Sequence, residues 1–454
     1  MKRVAIRSIG CKLNTHEGEI LKELLREEFR LVRWSEVADY YVLNTCTVTV
    51  KADARARNYI RNAHRRNPDA KIVVTGCYAQ TRSEDLERLP EASLILGNRE
   101  KDRIPEFLRR LESGESPERV QVSNIWQERL LDVPIIRDYP TLARPFVKIQ
   151  DGCNEMCSYC KIPMARGRNR SSPPERILEQ VRILLEAGYR EIVFSGVHMG
   201  CWGEDLAPSR SLEDLLTSVV ALPGEFRVRL SSIEPNHISD SLVDFLTENP
   251  KVCRHFHIPL QSGDDEVLAR MRRRYTTREY ARVIERIEER MPGVCLGADV
   301  IAGFPGETTA QFENTLRFLR DQPLAYLHVF PYSRREGTPA SRLPGQISDE
   351  IRTERARILR DESLSTWRAY VSGFLGQTLD AVIIDEKEFE EERCPKTFPT
   401  NSKRCLTGNF IDVLIAGKTP PRREFVRVRL SGLTAGEFAY GQIITNDDEN
   451  PSPP

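Results

Sequence analysis

Three cysteines, Cys153, Cys157 and Cys160, stand in the stretch DGCNEMCSYCKIP (151–163), spaced C-x3-C-x2-C. Soft sulfur ligands at such spacing select zinc or an iron–sulfur cluster. Structural zinc takes four protein ligands, yet no second C-x2-C unit lies nearby. His198, Cys201 and Cys253 are the remaining candidates for a fourth ligand, and none has the local spacing of one. Three ligands leave a coordination place open, which marks a working site rather than a staple.

A second trio is scattered. RVAIRSIGC (3–11), DYYVLNTC (39–46) and KIVVTGC (71–77) are short apolar runs, each ending in a cysteine: Cys11, Cys46 and Cys77. Helical patterns follow them, at 17–29, at 52–66 and from Ser83, and SLILGN (93–98) reads as a fourth strand. Strand–helix alternation predicts a parallel sheet. Ligands collect at the carboxyl ends of such strands, so three cysteines at equivalent ends can converge. The competing reading is three buried thiols packing as small hydrophobes.

The chain has 454 residues and formal net charge zero, with 40% hydrophobic and 30% charged residues. It is globular and multidomain, and a uniformly basic nucleic-acid coat is excluded. Neither an apolar signal h-region nor an apolar run of about 18 residues is present, so a cytoplasmic protein without membrane contact is expected. Eleven cysteines in such a chain point to metal binding or catalysis, not disulfides. The expected divisions are 1–112, a Pro- and Gly-marked linker 113–140, a second α/β region 141–370, a β-rich segment 372–447 and a tail 448–454. Strand candidates at 144–150, 191–197, 227–233, 255–261, 294–305 and 324–333 alternate with helices, predicting a partial (β/α)6-type barrel. The last segment predicts a small antiparallel β-barrel, interrupted by an acidic insert, DEKEFEEER (385–393).

C-x3-C-x2-C after the first strand of a partial β/α barrel resembles the radical S-adenosylmethionine (SAM) superfamily. That resemblance implies a 4Fe–4S cluster on Cys153, Cys157 and Cys160, with SAM on the open iron. It also implies SAM contacts at Tyr159, at Ser195 and Gly196 of FSGV, at Ser232 and Glu234 of SSIEP, and at Val300 and Gly303 of GADVIAGFPGET. The chain as a whole resembles the methylthiotransferase family, whose parts are a three-cysteine N-terminal domain, a radical SAM domain and an RNA-binding TRAM β-barrel. Family likeness assigns Cys11, Cys46 and Cys77 a second 4Fe–4S cluster that serves sulfur insertion, replacing C–H with C–S–CH3.

GCKLN (10–14), NTCTVTVKADARAR (44–57), IQDGCNEMCSYCKIPMARGRNRS (149–171) and RLSSIEP (229–235) resemble the branch acting on N6-threonylcarbamoyladenosine (t6A). The expected reaction is methylthiolation at C2 of t6A beside the tRNA anticodon. The alternatives are isopentenyladenosine in tRNA, a ribosomal-protein side chain, and a non-catalytic iron–sulfur or zinc RNA-binding module. The partners implied are the anticodon stem-loop bearing t6A and an electron donor such as flavodoxin or ferredoxin. Lys161, Arg166, Arg168 and Arg170 follow the cysteine loop and are expected to form a phosphate-facing rim, joined by Arg422 and Arg423. Gln261 and Arg334 are candidates for contact with the target base, and Cys201 is expected to pack as a thiol.

Overall fold

Short apolar runs and the helices between them build two parallel sheets in succession. The computed structural model describes residues 1–384, 402–417, 419–434 and 436–444. Strands β1 (Arg3–Ser8), β2 (Arg30–Val32), β3 (Tyr40–Thr45), β4 (Lys71–Gly76), β5 (Leu94–Leu96) and β6 (Val120–Gln121) form one parallel sheet, ordered β2-β1-β3-β4-β5-β6. All six residues of β3 are buried, as expected of a strand covered on both faces. Helices α1 (Lys12–Leu25), α2 (Val50–Arg66) and α3 (Cys77–Thr81) begin at or within a few residues of the ends of β1, β3 and β4. The sequence reading missed β2 and β6, which are too short to show a period.

The stretch expected as a linker is not free. It supplies β6 to the first sheet, and Leu131, Val133, Ile136 and Tyr139 are buried in the core of the second region. Its prolines mark irregular backbone, while its apolar side chains still bury surface.

In that second region β7 (Phe146–Lys148), β10 (Glu191–Ser195) and β11 (Arg227–Leu230) run parallel, as do β12 (His255–His257), β13 (Cys295–Ala302) and β14 (Tyr326–Pro331). A parallel bridge from Ser232 to His257 joins the two sets. The result is the six-stranded partial barrel, in the order β7-β10-β11-β12-β13-β14. Two tiny strands, β8 (Gln150–Asp151) and β9 (Arg170–Ser171), pair antiparallel between β7 and β10 in the chain.

β15 (Thr378–Ile383), β16 (Lys403–Thr407), β17 (Asp412–Ile415), β18 (Phe425–Leu433) and β19 (Ala439–Ile443) close a small barrel. Val426, Val428 and Leu430 point inward while Arg427 and Arg429 face out, the two-residue alternation of a strand. Its β17–β19 pair is parallel rather than antiparallel. The acidic insert 385–393 and the tail 448–454 lie outside the described residues. Glu191, wholly buried, gathers Arg144, Arg227 and Arg229. Arg227 and Arg229 then donate to the carbonyls of Leu406 and Thr407 at 2.7 and 2.9 Å, docking the barrel at the N-terminal end of the strands. No helix among the described residues is long and apolar enough to cross a membrane.

Candidate active site

Residues 152–169 form a loop tied at its base by the β8–β9 ladder, Gln150 opposite Ser171 and Asp151 opposite Arg170. Gly152 turns the chain with φ +73°, and a Cβ there would sit 1.7 Å from the Arg168 carbonyl oxygen, so only glycine fits. Gln150 is the hub beneath. Its Nε2 donates to the carbonyl of Gly152 and to Asn169 Oδ1, both at 2.7 Å, and its Oε1 accepts from the His198 amide at 2.8 Å.

Each sulfur of the loop receives one N–H. Cys153 Sγ accepts from the Glu155 amide at 3.4 Å, Cys160 Sγ from the Ile162 amide at 3.4 Å and Cys157 Sγ from Arg273 Nη1 at 3.3 Å. Burial pushes the Cys153 and Cys160 thiols up to about 12 and raises Cys157 as well. A bound cationic centre would draw these protons off.

The scattered trio comes together at the carboxyl ends of β1, β3 and β4. A Cβ on Gly10 would lie 2.4 Å from Cys46 Cβ, so the missing side chain lets Cys11 and Cys46 approach. Cys46 Sγ accepts from the Val48 amide at 3.5 Å, and Cys77 Sγ from Asn98 Nδ2 at 3.8 Å. Burial lifts Cys46 to about 12 and raises Cys77. Neither trio belongs to the tight groupings among the described residues, in which ligand atoms lie within 4.8 Å of one another. Wider-spread sulfurs suit a multi-iron cluster better than one tetrahedral ion.

Between the two trios runs a buried ionic network that the sequence reading missed. Glu17, on α1, meets Arg166 Nη1 at 2.8 Å, Lys148 at 3.1 Å and also Lys101. Asp151 meets Lys148 at 2.6 Å and Arg166 at 3.1 Å, with Arg170 at 3.8 Å. Arg166 Nη2 also donates to Asn14 Oδ1 at 2.8 Å. Glu17 and Asp151 are the paired carboxylates, Asp102 also faces Lys148 and Lys101, and Arg166 lies beside Cys77 and Cys11. Buried positive charge favours a counter-charge, which thiolates at Cys11 and Cys77 would add. The donor atoms and their surroundings therefore fit 4Fe–4S groups at both trios.

A cavity of about 220 Å3 opens between the halves, lined by Thr47–Thr49 next to Cys46, by Tyr159–Ile162 of the cysteine loop, and by Gln261, Asp299 and Phe330. Arg335 Nη2 reaches across to Asp53 Oδ2 and Thr47 Oγ1, both at 2.6 Å, and the Val50 amide donates to Ser333 Oγ at 3.2 Å. Asp299 accepts from His257 Nε2 at 2.9 Å and lies 3.4 Å from His328 Nδ1. Burial alone pushes its carboxyl up, but these two partners hold it well below the ordinary range. A polar residue inside the apolar run VCLGADVIAGFP was the signal available for it.

The expected basic rim is corrected. Lys161, Arg166 and Arg170 are buried. Arg166 and Arg170 are consumed by the ionic network, and Lys161 Nζ donates to the Glu336 carbonyl at 2.6 Å. Only Arg168 is exposed, over the Trp126 ring at 5.9 Å. Arg422 and Arg423 bind the Pro140 carbonyl at 2.9 Å and Asp138 at 3.0 Å, fastening the small barrel rather than facing a phosphate.

Of the residues singled out for SAM, Tyr159 lines the cavity. Ser195 ends β10 and Gly196 follows it, and Ser232 and Glu234 follow β11, on the same strand-end face as the loop. Glu234 pairs with Arg273, the residue that touches Cys157. Val300 is wholly buried in the core, leaving only its backbone available. Gly303, with φ +74°, lies outside the cavity lining. Gln261 lines the cavity, whereas Arg334 is bound to the Ser341 carbonyl at 2.9 Å.

Residues 147–319 match the Radical SAM superfamily and residues 3–97 match Uncharacterized protein family UPF0004. The solved structure of the radical SAM methyltransferase TsrM from Kitasatospora setae shares the fold, with TM-score 0.57 at 16% identity over 75% of this chain and 77% of that one. Barrel, three-cysteine loop and superfamily match together define a radical SAM protein. The threonylcarbamoyladenosine tRNA methylthiotransferase MtaB of Bacillus subtilis (strain 168) is 37% identical over 449 residues, 98% of this chain and 97% of its own. That of Aquifex aeolicus (strain VF5) is 36% identical over 90% of this chain and 96% of its own. The chain belongs to this MtaB methylthiotransferase family, and so to the SAM- and 4Fe–4S-dependent transferases that modify tRNA.

Proposed function

We propose that the chain methylthiolates C2 of t6A next to the anticodon of tRNA, giving 2-methylthio-t6A. The observation that carries this reading is one cavity lined both by Cys160 of the compact trio and by Thr47–Thr49, next to Cys46 of the scattered trio. In it Cys153, Cys157 and Cys160 hold the cluster that meets SAM, and Cys11, Cys46 and Cys77 hold the second. When bound, these groups supply the electron, the hydrogen-abstracting radical, the sulfur and the methyl group. The protein's own residues bind, orient and shield. Ser195, Gly196, Ser232, Glu234 and Tyr159 make up the SAM side, with the Val300 and Gly303 backbone behind. Gln261 and Asp299 face the base, and the Arg335 clamp holds the halves shut around it.

A flipped base would enter this cavity of about 220 Å3. Phe330 also lines a second groove of about 720 Å3 between β14 and the small barrel, with Arg144, Arg360 and Arg404 along it. This groove is the path of the anticodon stem-loop, and the small barrel serves as a TRAM domain. A cytoplasmic location and a flavodoxin- or ferredoxin-type reductant complete the reading.

The test is mass spectrometry of tRNA nucleosides from a deletion strain carrying wild-type, Cys157→Ala or Cys46→Ala genes, beside an assay of 5′-deoxyadenosine release. Wild type is expected to restore 2-methylthio-t6A and neither variant to do so. Release should be lost in Cys157→Ala and retained in Cys46→Ala. Persistence of 2-methylthio-t6A in the deletion strain, with another methylthio nucleoside missing, would overturn the substrate.

A further inference from the structure

We propose that His198, Cys201 and His237 form a third metal site, for one zinc-class divalent ion, separate from both cysteine trios. One ligand atom from each lies within 4.8 Å of the others. Cys201 Sγ is 2.8 Å from His198 Nδ1 and 3.6 Å from His237 Nε2, and the imidazole rings stand edge to face with centroids 4.8 Å apart. Around a tetrahedral zinc, neighbouring S and N ligands sit about 3.6 Å apart, so the group needs only small side-chain shifts to close on an ion. His198 and Cys201 are buried, and His198 Nε2 has no hydrogen-bond partner.

The backbone is built for the approach. His198 precedes the short turn Met199–Cys201 after β10, and His237 ends the turn Pro235–His237 after β11. Between the ligands, Gly200 has no side chain, and a Cβ there would be 2.4 Å from His237 Cβ. Both ends of the first turn are fixed to the base of the cysteine loop: the His198 amide donates to Gln150 Oε1 at 2.8 Å, and Asn169 Nδ2 donates to the Cys201 carbonyl at 3.0 Å.

Donor chemistry selects the ion. Two imidazoles and one thiolate are a borderline set that suits zinc, and three atoms this close exclude a multi-iron cluster. The fourth place falls to half-exposed Glu204, whose Oε1 is 4.0 Å from His237 Nδ1, or to a water. The ion clips together the turns after β10 and β11, each of which closely follows a pair of the residues Ser195, Gly196, Ser232 and Glu234. Cys201 is then a ligand and not the packed thiol expected from its sequence position. The site stands whichever nucleoside is the substrate.

Full-length protein, reconstituted anaerobically with iron and sulfide and then given one equivalent of zinc, is analysed for metals. The expected content is about one zinc per chain beside the cluster iron. Cys201→Ala and His237→Ala are each expected to lower zinc at least tenfold with iron unchanged. Zinc-edge X-ray absorption of the wild type does not depend on how the variants fold. It is expected to show one sulfur at about 2.3 Å and nitrogen or oxygen neighbours at about 2.0–2.1 Å. Less than about a tenth of a zinc in the wild type overturns the site. So does a sulfur-only shell, which would put the zinc in one of the cysteine trios.

Discussion

At the scale of single residues, Arg166 shows what sequence spacing conceals. Its neighbours Lys161, Arg168 and Arg170 make a basic run with no acid inside it, which reads as a surface for phosphates. Its partner Glu17 is 149 residues away, and no local pattern announces that contact. The cysteines stand out in the sequence because the chemistry of a thiolate trio is carried by type and spacing. The arginines do not, because a guanidinium serves a buried ion pair and a phosphate equally well. His16 repeats the lesson. It is wholly buried, with Nδ1 2.7 Å from Tyr139 Oη, and burial pushes it down to about 3. In the unfolded chain a histidine takes its proton near pH 6.5. The unfolded state therefore binds the extra proton between those values, and stability is lost as pH falls through that window, by on the order of a few kcal/mol. The urea midpoint of His16→Gln is expected to fall less than that of wild type between pH 7 and pH 5. Parallel falls would remove His16 from the account.

At the scale of elements, the strand ends were readable and the devices between them were not. Three apolar runs each closing on a cysteine announced a sheet that gathers them. Nothing announced a two-residue ladder, β8–β9, as the base of the cysteine loop, because two residues have no period. Nor did β6 stand out in a stretch marked by proline. The loop rests on Gly152. Gly152→Ala forces its Cβ against the Arg168 carbonyl, in a backbone region that side chains disfavour. Its expected cost is about 1–3 kcal/mol of stability. Iron per chain in this variant is expected to fall by about half, as the cluster of this loop is lost and the other kept. Full iron content would show that the loop accommodates the change.

At the scale of the molecule, the two halves meet at one cavity. Arg335 Nη2 binds both Asp53 and Thr47, the latter in the cavity lining, and breaking one side of a buried pair costs about 3–5 kcal/mol. In Arg335→Ala, 5′-deoxyadenosine is expected to continue forming while methylthiolated product drops about tenfold or more, because on the proposed reading the half carrying Cys11, Cys46 and Cys77 is no longer held against the cavity. The ratio of the two products measures this, and an unchanged ratio would show that the clamp plays no part in coupling. Family membership and architecture followed from the order of the parts along the chain, whereas the cavity between them required the folded molecule.

Strand β14 joins the two ends of the proposed RNA path. At its start Tyr326 packs against Phe410 of the small barrel at 5.7 Å and against Trp367 at 6.4 Å. Four residues on, Phe330 lines the cavity. At about 3.3 Å per residue the separation is about 13 Å, the rise of about four stacked nucleotides. On the proposed reading the strand would serve as a ruler. A substrate held by the barrel would present to the cavity the base lying that far along its strand, so length would choose the position before any base edge is read.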